Sequence, residues 1–116
     1  MLCLMSHQIG ICQGDRILFS DFVDGGPMWT GDGPLETRTV IEFERPFSNP
    51  PMVHLSMTMW DADGDPNQRM DLLAENITTT SFELVFRTWG DSRVARVRAS
   101  WMVIGQLPHD DDWDLY

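Results

Sequence analysis

The chain holds 116 residues and 13.3 kDa, the size of one domain. A hydrophobic fraction of 42% with five Trp and six Phe supplies a packed core and excludes a disordered chain. The net charge of -10, eighteen acids against eight bases, opposes contact with phosphate backbones and anionic membrane surfaces.

Neither nucleic acid nor membrane insertion is therefore expected, and no apolar run approaches the ~20 residues that span a bilayer. The opening Met1-Leu2-Cys3-Leu4-Met5 is too short for a signal-peptide core and lacks a basic flank, so general export is not expected either. All eight bases are arginine. Arginine suits planar, bidentate contacts and interfaces, although the codon habit of a GC-rich genome gives the same composition. Cys3 and Cys12 are nine residues apart, a spacing that matches no zinc or redox motif, and they read as ordinary thiols.

Period two, bounded by turn residues, recurs along the chain and marks strands. The first strand is expected around Arg16 to Phe22. A long loop dense in Gly and Pro follows, from Asp24 to Pro34. The second strand is expected over Thr37 to Phe47, stopped by Asn49-Pro50-Pro51. The third, Met52 to Trp60, sets Val53, Leu55, Met57 and Met59 against His54, Ser56 and Thr58. Asp61 to Asn67 reads as a turn.

A fourth strand is expected at Gln68 to Ile77. The fifth, Phe82 to Trp89, places Phe82, Leu84 and Phe86 opposite Glu83, Val85 and Arg87. After the tight turn Gly90-Asp91-Ser92, the sixth runs from Arg93 to Ile104. Its apolar face carries Ala95, Val97, Ala99, Trp101 and Val103. Six antiparallel strands with inward apolar stripes predict an all-β sandwich over residues 1–105. Residues 106–116, with four aspartates, Trp113 and Tyr116, read as an acidic aromatic tail that docks against protein.

The sixth strand turns Arg96 and Arg98 outward, and the pattern places them beside Arg87 of the fifth. Like charges on neighbouring strands repel unless acids meet them. Two arrangements satisfy this: in-chain pairing with Glu75 and Glu83 or with Asp110, Asp111 and Asp112 of the tail, or carboxylates from a second copy at an oligomer interface.

The stretch from Pro46 to Gly105 resembles the H-type lectin domain, the module of snail agglutinins and of the C-terminal half of discoidins. The residues behind this are Pro46-Phe47-Ser48-Asn49-Pro50-Pro51, Val53-His54-Leu55-Ser56, Trp60-Asp61 and Arg69, then Asn76-Ile77-Thr78 and Phe82. Arg87-Thr88-Trp89-Gly90-Asp91 and Ser100-Trp101 complete the set. The resemblance implies a six-stranded sandwich, a trimer with sixth-strand side chains at its axis, and galactose or N-acetylgalactosamine held in clefts between protomers. It also implies that Arg96 and Arg98 stack in charged layers near that axis; with Arg87 from the strand pattern they are the expected interface residues of the homotrimer, and the pairing of two trimers into a hexamer stays open.

Among the family's sugar contacts, the arginine falls on Arg69 and the tryptophan on Trp89, whose indole suits the C–H face of galactose. The position after the tryptophan, histidine in the snail proteins, is Gly90, followed by Asp91. The family's early-loop aspartate falls near Pro34-Leu35-Glu36, leaving Glu36, or Asp32 upstream, as the acid available. Ser48 and Phe86 stand where snail cysteines would, so no disulfide is implied.

Other chemistry is weaker. Asp61, Asp63 and Asp65 with Gly64 resemble half of a calcium loop, yet the terminal bidentate glutamate is missing and a hairpin turn needs such residues anyway. His7, His54 and His109 have no nucleophile in a recognisable arrangement, so no catalytic residues, cofactor or metal are expected. The functional expectation is a non-catalytic carbohydrate-binding module in trimeric form. The alternative is a structural trimer in a larger assembly, a cell-surface structure or phage-like particle, that has lost sugar binding.

Overall fold

The computed structural model describes residues 1–4, 8–20, 26, 28, 34–64 and 67–108. Six strands form: β1 (Ile9–Ser20), β2 (Leu35–Glu42), β3 (Met52–Ala62), β4 (Met70–Glu75), β5 (Ser81–Thr88) and β6 (Val94–Gln106). They make two antiparallel three-stranded sheets, ordered β1-β6-β3 and β2-β5-β4. The sandwich expected from the sequence is the fold observed.

The core lies between the sheets and is built by their central strands. Phe82, Leu84 and Phe86 of β5 are wholly buried, as are Val97, Ala99 and Val103 of β6. Aromatic contacts bind the layers together: Phe82 meets Trp101 edge-on at 6.3 Å, and Phe19 meets Phe86 at 5.4 Å. Met28 is the one buried residue described in the long loop, and its sulfur lies 3.9 Å from the Thr88 hydroxyl. Cys3 and Cys12 are free thiols.

β1 begins well before Arg16. Its inward positions include Gly10 and Gly14, residues that argue against a strand when read alone. Here they are sites of close approach. A Cβ on Gly14 would stand 2.6 Å from the Trp101 ring, and one on Gly10 would stand 2.8 Å from Leu107. The neighbouring large side chains fill the space that the glycines leave.

β2 ends earlier than expected, at Glu42, because the chain bends over Glu44-Arg45-Pro46. The bend stays attached: the Phe43 and Phe47 amides donate to the Thr80 and Thr79 carbonyls, both at 2.9 Å. β4 is shorter too. Asn76 takes a left-handed φ of 49° and closes it, and its side-chain Nδ2 donates to Glu83 Oε2 at 3.0 Å.

The C-terminal boundary also moves. Gln106 belongs to β6, pairs with Ile9, and its carbonyl accepts from the Ser48 amide at 2.8 Å. Leu107 packs against the core. Residues 109–116, which carry most of the expected tail, lie outside the described residues, as does His7.

The arrangement of arginines needs a larger correction. β5 and β6 follow one another in sequence but belong to opposite sheets. Arg87 therefore does not stand beside Arg96 and Arg98; they face outward from opposite layers. Periodicity reports which face a side chain takes, and carries no information about which strand lies next door.

Candidate functional site

β5 ends at Thr88, which is buried, and strand alternation turns the next residue outward. Trp89 is accordingly 44% exposed, a large indole at the rim of the sandwich. Gly90 follows with φ of 70°, the left-handed conformation that makes the turn tight. Asp91 and Ser92 complete it.

Arg69 comes to this turn from the segment before β4. Its Nη1 donates to the Asp91 carboxylate at 3.0 Å. An exposed pair of this kind adds about 0–1 kcal/mol to stability, so its consequence is positional. The guanidinium is laid across Gly90, with Nη1 2.8 Å from the point where a Cβ would sit.

Ser92 is a member of this site that sequence reasoning missed. Its hydroxyl accepts from the Arg69 amide at 2.7 Å and donates to the Asn67 carbonyl. At 4% exposure it ties the start of β4 to the β5–β6 turn. A lone serine in a turn carries no signal of this role.

On the other flank of Trp89 lies a groove of about 260 Å³, lined by Pro34, Leu35, Glu36, Arg87, Thr88 and Trp89. Glu36 is fully engaged. Its Oε1 accepts from Arg87 Nε at 2.8 Å and its Oε2 from Arg38 Nε at 2.7 Å. Hydrogen bonds from Arg87 and then Arg38 hold this carboxyl below its ordinary range. Arg38 also meets Glu75 at 3.0 Å and Glu83 at 2.7 Å, and Arg87 meets Glu75 at 2.7 Å. The outer face of β2-β5-β4 thus carries a network in which Arg38, unsuspected from the sequence, is the hub.

The structure therefore brings together Arg69, Trp89, Gly90 and Asp91, and sets Glu36 across the groove. Asp32 lies outside the described residues. Arg96 pairs within its own chain, with Asp61 at 3.1 Å. That pairing engages the first carboxylate of the Asp61-Asp63-Asp65 run, and Asp65 lies outside the described residues. Among the described residues, no cluster of three His, Cys, Asp or Glu is arranged to hold a metal ion.

Comparison with known proteins agrees with this architecture. The H-type lectin domain matches residues 38–104. A protein of Fuscovulum blasticum named ATP synthase subunits region ORF 7 is 54% identical over 111 residues, 96% of each chain, and its name states no activity. One of the discoidin-1 polypeptides of Dictyostelium discoideum is 34% identical over 74 residues, 63% of this chain and 29% of its own length. The solved structure of discoidin II from the same organism superposes with a TM-score of 0.73 at 23% identity. That match covers 85% of this chain and 38% of discoidin II, so the chain spans well under half of the discoidins it resembles. This chain belongs to the H-type lectin domain family.

Proposed function

We propose that the chain is a non-catalytic carbohydrate-binding module that takes galactose- or N-acetylgalactosamine-type glycans at the Trp89 turn. The observation that carries this reading is the exposed indole flanked by a fixed donor–acceptor pair. Trp89 offers an apolar face for sugar C–H groups. Beside it, the Arg69 guanidinium donates and the Asp91 carboxylate accepts, the two functions that neighbouring hydroxyls require. Membership of a lectin family supports the same conclusion.

The proposal includes a trimer assembled through the outer face of β1-β6-β3, with the sugar clefts at protomer boundaries. A shallow single site binds weakly, and three on one particle gain avidity for surface glycans and for adhesion between decorated surfaces. Sedimentation at micromolar concentration tests the trimer. A glycan array with the purified protein, run with and without calcium, tests the ligand. Binding to galactose-type glycans is expected; a wholly blank array would remove the reading.

One observation favours the alternative of a structural trimer without sugar binding. Glu36, the acid nearest the family's aspartate position, has both oxygens committed to arginines. A trimer in solution with a blank array is the outcome that selects it.

A further inference from the structure

Arg96 and Arg98 differ in a way that the sequence conceals. Arg96 is neutralised by Asp61, whereas among the described residues the Arg98 side chain meets only a hydroxyl, with Nε donating to Thr58 Oγ1 at 3.2 Å. Among the described residues no carboxylate comes within ion-pair distance of Arg98. Asp15 is its counterpart in β1: exposed, on the same outer face, and without a cationic partner among the described residues.

The rows of this face place the two residues close in height. Asp15 pairs with Ser100, which pairs in turn with Ser56, and the next row down sets Ile17 opposite Arg98. Because serines occupy the Asp15 row, the face dips there. The depression, about 430 Å³, is lined by Gln13, Asp15, His54, Ser56, Ser100 and Met102. Its walls offer a carboxylate, hydroxyls and an amide oxygen, the acceptors that a guanidinium with five N–H donors can use. Exposed Ile11, Ile17 and Met52 lie on the same outer face.

We infer that Arg98 of one protomer inserts into this depression on a second copy of the chain and pairs with its Asp15. The inference rests on the trimer reading and names the contact that closes the ring. A cyclic assembly needs such a heterologous pair, because a residue on one part of the face must meet a different residue on its neighbour. Within one chain Arg98 turns toward Thr58 of β3, on the opposite side of β6 from Asp15 of β1. Within a single chain the two charges remain apart, and assembly removes both from isolation.

A charge swap tests this by sedimentation of the full chain, with circular dichroism confirming that each variant is folded. Arg98→Asp alone and Asp15→Arg alone should each raise the concentration needed for assembly roughly tenfold or more. The double variant Asp15→Arg/Arg98→Asp should restore assembly toward that of the unmodified chain. Single variants that assemble normally, or a double variant no better than either single, would overturn the pairing while leaving the trimer standing. An unmodified chain that sediments as a monomer would overturn the trimer and the pairing together.

Discussion

Arg69 and Gly90 compete for one volume: the guanidinium Nη1 lies 2.8 Å from where a side chain at 90 would begin. The absence of that side chain lets Arg69 reach Asp91. Gly90→Ala should therefore do two things. The left-handed φ adds about 1 kcal/mol of strain, and Arg69 must leave its carboxylate. A modest fall in melting temperature with a larger loss of glycan binding is expected from calorimetry and titration. Unchanged binding would show that the position of Arg69 is immaterial to the ligand.

Trp89→Ala separates ligand contact from packing. The indole is half-exposed, so stability should change by less than about 0.5 kcal/mol, as at other surface positions. Affinity for glycan should fall about tenfold or more, equivalent to about 1.4 kcal/mol. Parallel loss of both would make Trp89 a core residue.

The Glu36 clamp predicts an acid dependence with a definite sign. Its folded carboxyl lies below the ordinary 4.5, so the stabilisation it gives is present at neutral pH. That contribution is lost only as pH falls from about 4.5 through the depressed value, where protonation breaks the bonds from Arg87 and Arg38. Melting temperatures from pH 7 down to about 3 should show a steeper acid decline for the unmodified chain than for Glu36→Gln. Identical slopes would show that the clamp does not contribute.

Gly14→Ala tests the close approach in β1. Its Cβ would meet the Trp101 ring at 2.6 Å, and overpacking of this kind costs about 1–3 kcal/mol. Thermal unfolding followed by tryptophan fluorescence should show a clear drop, with the emission of Trp101 altered in the folded state.

The parts of the fold that the sequence revealed are those where side chains alternate by size as well as polarity. β3, β5 and β6 show this, and their buried faces are the ones expected, from Val53 and Leu55 to Phe82 and Val103. β1 was obscured because its inward positions are Gly10, Cys12 and Gly14, whose space belongs to Leu107 and Trp101. Strand neighbours were not legible, and that is why Arg87 was set beside Arg98. At the site, Arg69 and Trp89 are legible through family resemblance alone, since nothing in twenty residues of spacing announces that Arg69 comes to the turn after Trp89. Ser92 and Arg38 act through partners distant in sequence, and no local pattern encodes such partners.

The two most deeply buried strands, β5 and β6, are consecutive, and five residues from Trp89 to Arg93 carry the chain from the centre of one layer to the centre of the other. The turn proposed to hold the ligand is thus held at both ends by the central strands of the two sheets. Its residues can vary without disturbing the layers, provided Ser92 keeps its hydroxyl and position 90 tolerates the left-handed bend. Such a turn is a natural cassette: exchange of Trp89 and Asp91 for other side chains would retarget the surface toward different polar ligands on an unaltered frame.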